Sequence, residues 1–168
     1  MKTPVLFLIL LSLQTPAFAQ GSPDSLGSPG PDSAYDVLRH QEVAMNVLLG
    51  WSGASVASGT VMVMSRSPVL RGFGIQNIAW GVIDAGIAIF AKKAIAEKRL
   101  DGYAPAEEIR SFRKILLINT LLDILYVGVG IALAASGKEN LRGHGYGVIV
   151  QGSFLFIFDL VNYRLAAG

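Results

Sequence analysis

The amino-acid sequence predicts an all-α protein, a membrane four-helix bundle. Only 15% of the 168 residues are charged and 52% are hydrophobic, whereas average soluble domains carry about 25% charged residues. Four apolar segments of roughly 20 residues are each long enough to cross a hydrocarbon core about 30 Å thick, where a helix satisfies its own backbone. These segments are predicted at 43–64, 72–91, 115–135 and 145–165, within one domain of residues 39–168.

The N-terminus has the three parts of a secretory signal peptide, which we predict over residues 1–19. Lys2 gives the positive start, residues 4–13 the apolar core, and a small-x-small sequence before Gln20 the cleavage site. An uncleaved anchor helix is the alternative, and both interpretations place Gln20 on the non-cytoplasmic side. Residues 20–38 are then a flexible exported tail, because Gly, Ser, Pro and Asp dominate much of this stretch.

Helix breakers lie between the apolar segments. Pro68 follows the first segment, Gly137 follows the third, and Pro105 with Glu107 and Glu108 is typical of a new helix start. A soluble bundle with buried helices is the alternative to a membrane protein. Four long segments with so few charges leave little polar surface for that alternative.

The two halves of the helical domain resemble each other at a constant offset. Residues 46–49 (Asn-Val-Leu-Leu) match residues 119–122 (Asn-Thr-Leu-Leu), 73 positions later, and residues 72–74 match residues 145–147 at the same offset. These matches predict a duplicated helical hairpin whose parallel repeats are related by an axis along the membrane normal, as in some transporters. Chance similarity between apolar helices is the alternative.

Small residues recur at a spacing of four in the first and third segments. The motifs Gly50-x-x-x-Ala54-x-x-x-Ser58 and Gly128-x-x-x-Ala132 permit two helices to approach closely. We therefore expect these residues at helix–helix contacts of the bundle.

Three aspartates inside the apolar segments are the strongest functional signal in the sequence. A charged group in hydrocarbon is costly, so intramembrane carboxylates face a protein interior and often mark a working site. Each aspartate belongs to a stripe of polar or small residues at helical spacing, and the first segment contributes Asn46 instead. The predicted intramembrane binding cluster consists of Asn46, Asp84, Asn119, Asp123, Tyr126, Asp159 and Asn162.

Depth along the helices places this cluster in one half of the bundle, beneath a predicted loop at 92–114, with Asn77 and Gln151 in the other half. One interpretation is a polar cavity for a proton, a cation or a small polar ligand. The other is structural: Asn and Asp side chains join helices by hydrogen bonds of about 0.6 kcal/mol each, or the aspartates pair with basic residues at the interface. The sequence leaves both open.

Composition argues against several function classes. Two histidines and no cysteines leave no zinc-type cluster and no thiol chemistry, so no metal and no cofactor are expected. A net charge of +2 is too small to indicate a nucleic-acid partner. The expected partners are the lipid bilayer and either another membrane protein or further copies of the chain. No Ser/His or Cys/His spacing supports an enzyme, and no catalytic residue is assigned.

Two rules for membrane orientation disagree. The signal peptide places the N-terminal tail outside, and four spans then return the C-terminus to the same side. Basic residues are concentrated on that outer side, in segment 92–114, whereas the positive-inside rule expects them in the cytoplasm. We follow the signal peptide, since it acts first during insertion. The predicted location is a bacterial inner membrane, crossed several times, with both termini non-cytoplasmic.

Three stretches carry a resemblance to other sequences. They are residues 76–81 (Gln-Asn-x-x-Trp-Gly), residues 119–126 (Asn-x-x-x-Asp-x-x-Tyr) and residues 145–160, which contain Gly-Tyr-Gly, Gln-Gly-Ser-Phe-Leu and Phe-Asp-Leu. With these stretches the chain resembles a group of uncharacterised small bacterial four-helix membrane proteins with N-terminal signal peptides. The resemblance covers most of the mature chain and implies the same topology. It brings no activity and no site residues.

Three hypotheses for function follow from these observations. The first is an accessory or structural protein that binds a membrane partner or lipid. The second is a small transporter- or channel-like protein that uses Asp84, Asp123 and Asp159. A membrane enzyme comes third.

Overall fold

Four α-helices joined by short turns make up the part of the chain that the computed structural model describes, residues 35–166. Helix α1 spans Val37–Val63, α2 spans Pro68–Asp101, α3 spans Pro105–Ala134 and α4 spans Glu139–Leu165. Since these residues contain no strand, the all-α fold class is confirmed for them. The predicted signal peptide and the first part of the predicted tail lie outside the described residues.

Capping residues explain where the helices begin. The Asp36 carboxylate accepts a hydrogen bond from the backbone N–H of Arg39 at 3.0 Å, and the Ser67 hydroxyl accepts one from the N–H of Leu70 at 3.4 Å. Helix α3 begins at Pro105, where the sequence predicts a helix start. Two acidic residues in its first turn complement the helix dipole.

Helices α2 and α3 extend well past their predicted spans. Segment 92–114, expected as a loop, is helical except at residues 102–104, where Gly102 adopts a φ of +88°. The cause of this difference is composition, because Lys, Ala, Glu, Arg and Leu are all favourable in helices. An ion pair between Lys98 and Glu108 at 2.7 Å joins the two extensions.

Glycines bring two helix backbones together at the centre of the bundle, where α2 packs against α4. A Cβ atom added to Gly143 would lie 2.1 Å from the Val69 carbonyl oxygen, and one added to Gly147 would lie 2.5 Å from Cβ of Gln76. Gly72 faces Gly143 in the same contact. Alanine at these positions would force the helices apart.

A second type of glycine pair sets the closest approach within each hairpin. A Cβ atom added to Gly59 of α1 would lie 2.6 Å from the carbonyl oxygen of Gly74 in α2. A Cβ atom added to Gly145 of α4 would lie 2.6 Å from the carbonyl oxygen of Gly130 in α3. The two hairpins are therefore built around the same backbone contact.

The two small-residue motifs expected at helix contacts lie on the surface instead. Gly50 and Gly128 are exposed, and a Cβ atom added at either would meet no described atom within 4 Å. Ala54 and Ala132 are exposed as well. The expectation fails because small residues at this spacing occur on any face of an apolar helix, and the spacing does not indicate which face is covered.

Helix boundaries and glycine contacts repeat along the chain at an offset of 71 residues. Helix α1 ends at Val63, and α3 ends at Ala134, 71 positions later. Helix α2 begins at Pro68, and α4 begins at Glu139, again 71 positions later. The two glycine pairs within the hairpins are separated by the same distance in sequence. The offset of 73 from sequence matches is therefore corrected, because residue types on apolar helices match by chance more easily than backbone contacts do.

Equivalent residues of the two hairpins touch each other across the α2–α4 contact. Gly72 faces Gly143, its counterpart 71 residues later, and Gln76 faces its counterpart Gly147. Helices α2 and α4 run in the same direction, since each is the returning arm of an up-and-down hairpin. The pairing therefore describes an approximate two-fold axis that lies between α2 and α4 and along the bundle.

The bundle exposes many large apolar side chains, and its interior contains polar residues beside an apolar core. Large apolar side chains that are 60% to 76% exposed include Val61 of α1, Phe90 of α2, Leu121 of α3 and Ile157 of α4. Among the described helices, α3 and α4 are long and apolar enough to cross a membrane by length and composition alone. Buried polar residues in the described part of the chain are Gln41, Ser52, Ser55, Asn77, Asp84, Thr120, Asp123, Gln151, Asp159 and Asn162.

Candidate functional site

Helices α2, α3 and α4 bring Asp84, Asp123 and Asp159 together in the interior, and these three residues are named the aspartate cluster. Their exposures are 1%, 2% and 5%. The carboxyl groups of Asp123 and Asp159 lie within hydrogen-bonding reach of each other. The Asp84 carboxyl group is close enough to interact electrostatically with both.

The local sequence places each aspartate on the buried face of its helix. On α2, Asp84 lies between Trp80 and Ala88, which are buried at the same four-residue spacing. Buried residues at spacings of three and four also surround Asp123 on α3 and Asp159 on α4. Sequence reasoning locates this site because polar residues on an otherwise apolar helix stand out.

Two carboxyl oxygens of the aspartate cluster are buried without a hydrogen bond in the described part of the chain. Within residues 35–166, no hydrogen-bond donor reaches Oδ2 of Asp84 or Oδ2 of Asp123, although both atoms are buried. A buried polar atom without a partner costs about 1–3 kcal/mol, and more when it is charged. A protonated carboxyl group donates one hydrogen bond. A proton on one member of the cluster can therefore supply the missing donor.

An aromatic pair borders the cluster on the side of the turns at 64–67 and 135–138. The rings of Trp80 and Tyr126 meet edge to face, with centroids 5.0 Å apart. Tyr126 is partly buried and lies close to Asp123, so the structure places it at the cluster. Trp80 is a neighbour that sequence reasoning missed, and its place on the same polar stripe of α2 is the signal that identifies it.

A second polar network joins α1, α2 and α4 nearer the turns. The fully buried Gln151 amide donates to Ser55 Oγ at 3.1 Å and to Asn77 Oδ1 at 2.9 Å, and it accepts from Trp51 Nε1 at 2.7 Å. Gln151 and Ser55 are the two-fold counterparts of the aromatic pair. Because the amide has a partner for its oxygen and two for its nitrogen, this network fixes helix packing.

Asn162 is buried one turn beyond Asp159, but its hydrogen bonds go to other groups. Its Nδ2 donates to the Phe158 carbonyl oxygen at 2.7 Å, and its Oδ1 accepts from His40 Nε2 at 2.8 Å. The hydroxyl of Tyr35 bonds to the other ring nitrogen of His40. Asn162 therefore joins α4 to the start of α1.

The structure corrects one predicted member of the cluster, Asn46. This residue is exposed and accepts a hydrogen bond from Lys92 Nζ. The buried face of α1 includes Met45, and one residue along a helix turns the side chain by about 100°. Asn46 therefore faces outwards. Asn119 is partly buried, one turn before Asp123.

The two-fold relation gives each aspartate a counterpart in the other half of the bundle. In chain order, the counterparts of the aspartate cluster are Leu155, Ser52 and Ala88. Ser52 and Ala88 are as buried as the aspartates, and Leu155 is partly buried. The same backbone contacts therefore form around side chains without carboxyl groups. The helices of a hairpin can therefore pack in this way without an acid at these positions.

The cluster meets the coordination needs of a proton more readily than those of a metal ion. Across the described helices, no group of three or more His, Cys, Asp or Glu side chains is arranged to hold a metal ion. Oxygen-ligated cations such as Mg²⁺ and Ca²⁺ need about six or more ligands in a defined geometry. A proton requires only one acceptor and one donor, which the contact between two carboxyl groups provides.

Comparison with known proteins identifies a family without an assigned activity. A model described as a family of unknown function, DUF6992, matches residues 47–160. The match includes the whole aspartate cluster and the Gln151 network, whereas His40 and Asn162 lie outside it. No curated protein and no solved structure matches the chain. The family match covers more than half of the sequence and agrees with the predicted resemblance to an uncharacterised group; the chain belongs to the DUF6992 family of unknown function.

Proposed function

We propose that the chain is an integral membrane protein that binds a proton between helices α2, α3 and α4 and acts as a small transporter- or channel-like protein. The observation that carries the proposal is the contact between the Asp123 and Asp159 carboxyl groups, buried beside a third. Two ionised carboxylates in contact within a low-dielectric interior repel strongly. One shared proton removes this repulsion and forms a hydrogen bond, as in other carboxyl pairs.

The distribution of apolar side chains supports a membrane location. Monomeric soluble proteins rarely expose contiguous apolar patches larger than a few hundred Å², but here large apolar residues are exposed on every helix. Lipid removes the cost of this exposure. A helix of 27 residues is about 40 Å long at 1.5 Å per residue, which exceeds the hydrocarbon thickness of about 30 Å.

The position of the acids within the bundle supports a role for proton binding. Ionisable residues in membrane helices commonly face the bundle interior and mark ion pathways or proton relays. The two-fold counterparts of the three aspartates carry no acid, so the site occurs once, although both hairpins contribute to it: Asp84 comes from the first, and Asp123 and Asp159 come from the second. A specialised site within a repeated scaffold is the arrangement expected for a binding function.

An accessory function, in which the chain binds another membrane protein, is the second candidate. It is favoured by the exposed face of α1 that contains Gly50, Gly53, Ala54 and Ala57. Small residues let a neighbouring helix approach closely in lipid. We expect purification in mild detergent to recover a stoichiometric partner that Gly50→Leu displaces. A preparation that contains the chain alone would contradict this candidate.

Labelling of single cysteines tests whether the helices span a membrane. The natural sequence has no cysteine, so each introduced thiol reports one position. We expect a membrane-impermeant maleimide to label Arg66→Cys and Lys138→Cys from one side and Tyr103→Cys from the other. Leu121→Cys lies on the exposed apolar face of α3 and is expected to react from neither side.

The same labelling identifies the orientation on which the signal peptide and the positive-inside rule disagree. In intact cells, the signal peptide predicts labelling of Tyr103→Cys from outside, whereas the positive-inside rule predicts labelling at Arg66→Cys. Denatured samples, in which every thiol reacts, are the positive control. Labelling of all three turn positions from one side, or ready reaction of Leu121→Cys in the membrane, would exclude four spanning helices.

A further inference from the structure

We propose that basic side chains at one end of the bundle bind the anionic headgroups of phospholipids. The inference rests on the proposed membrane location, and it adds a lipid class and a surface. The residues lie at similar depth on three helices and are named the basic collar. Its members are Lys92, Lys93, Arg110, Arg113, Lys114 and Arg164.

Contacts between helices show that these residues share one level of the bundle. The Lys98–Glu108 ion pair at 2.7 Å fixes the register of α2 against α3. From this pair, Lys93 and Arg113 each lie five residues further from the α2–α3 turn. The Arg113 guanidinium lies 4.7 Å from the centre of the Tyr163 ring, which extends the collar to α4.

Few carboxylates neutralise the basic collar. Among the described residues, its one ion pair joins Lys93 and Glu97 at 3.8 Å, and both side chains are at least 60% exposed. Such exposed pairs contribute little. Lys92 and Arg113 contact an amide oxygen and an aromatic ring instead. Beyond the collar, by contrast, Lys98 and Arg99 form close ion pairs with glutamates.

Exposed apolar side chains lie next to the collar, on the side that faces the middle of the bundle. On α2, exposed Ile89 and Phe90 precede it, and on α3 exposed Ile115 and Ile118 follow it towards the middle of the bundle. On α4, exposed Val161 lies one turn before the collar arginine. Lys and Arg at such a boundary can keep their stems in hydrocarbon and their charges among phosphates.

Charge complementarity at this boundary favours lipid over other anions. Cations at the edge of a lipid-facing surface lie at the depth of the lipid phosphates, so several of them can contact headgroups of one leaflet together. Each Lys or Arg near an anionic membrane surface strengthens binding by about five-fold. The collar is therefore expected to make the stability of the protein depend on anionic lipid.

Thermal unfolding of the purified full chain tests this expectation. The protein in neutral detergent receives phosphatidylglycerol or phosphatidylcholine, and the fluorescence of Trp51 and Trp80 reports unfolding. We expect phosphatidylglycerol to raise Tm for the wild type. A variant with Lys93→Gln, Arg110→Gln and Lys114→Gln should bind this lipid about five-fold more weakly per substitution and lose most of the shift.

A matched control removes three charges from the opposite end of the bundle. The variant with Arg66→Gln, Arg71→Gln and Lys138→Gln is expected to keep the wild-type shift, and both variants should match the wild type in neutral detergent. Equal losses in the two variants, an equal shift with phosphatidylcholine, or a shift with inorganic phosphate alone would overturn the proposal. Cysteine labelling is independent of this result, so failure of the collar and failure of the membrane location are distinguishable.

Discussion

Wild-type protein in proteoliposomes is expected to carry protons down an imposed gradient, and Asp123→Asn or Asp159→Asn is expected to reduce this flux to that of empty liposomes. Asparagine keeps the size of aspartate but neither takes up nor releases a proton. Because the two carboxyl groups lie within hydrogen-bonding reach, either substitution removes the pair that shares the proton. A pH-sensitive dye inside the liposomes measures the rate after a potassium diffusion potential is applied.

The matched control for these variants is Asp101→Asn. Asp101 is exposed at the end of α2, outside the apolar part of the bundle, and its substitution should leave the flux unchanged. Circular dichroism and gel filtration check that all variants fold. A wild type without flux, or unchanged flux in both cluster variants, would contradict transport by the aspartate cluster. Flux that follows a sodium gradient at constant pH would identify a cation in place of the proton.

Gly143→Ala is expected to lower the free energy of unfolding by about 3 kcal/mol or more, at the upper end of overpacking effects. The added carbon would lie 2.1 Å from the Val69 carbonyl oxygen, so α2 and α4 would have to separate. Gly145→Ala should act similarly, because its Cβ would lie 2.4 Å from the backbone nitrogen of Ala134. Unfolding of the detergent-solubilised protein by a denaturing detergent, followed by circular dichroism, measures both.

Gly50→Ala and Gly128→Ala are the matched controls for helix packing. Each adds the same methyl group at a helical position where no described atom lies within 4 Å. Because alanine is more favourable than glycine in a helix by up to about 1 kcal/mol, neither variant is expected to lower the free energy of unfolding. Similar destabilisation by all four variants would show that the close contacts of α4 with α2 and α3 do not cause the loss.

Much of the helical architecture could be predicted from the sequence. Pro105 and the acidic residues after it indicate the start of α3, and that helix begins there. Asp84, Asp123 and Asp159 could be assigned to one site, because single acids in apolar helices have few alternatives to the interior. These predictions succeed because proline restricts the backbone and because an acid in an apolar helix has to be buried in the protein interior.

The sequence predicts less well how each helix is rotated about its axis, that is, which of its faces is buried. Asn46 and Gly50 of α1 share a polar or small character with buried residues, yet both face outwards. In this bundle polar residues are buried beside Leu, Ile, Val and Phe, and the outside also contains Leu, Ile and Val, so hydrophobicity alone does not separate the faces. The contacts of Gly59 and Gly143 set the rotation, and these contacts exist only after folding.

The repeat offset of 71 residues allows each aspartate to be compared with the equivalent position of the other hairpin. The counterpart positions contain Leu155, Ser52 and Ala88, and the surrounding glycine contacts are conserved between the hairpins. A purely structural role for the acids would have to explain why the two-fold counterpart positions pack without them. Proton binding explains the difference, because a single site between the hairpins is sufficient.

Infrared spectroscopy of the purified protein in lipid, at neutral pH, tests the central claim that the buried carboxyl pair holds a proton. The C=O stretch of a protonated carboxyl group is separate from the carboxylate bands and shifts in D₂O. The account predicts this band in the wild type and in Asp101→Asn, and the loss of most of it in Asp159→Asn. A wild-type spectrum without a protonated carboxyl band would contradict it.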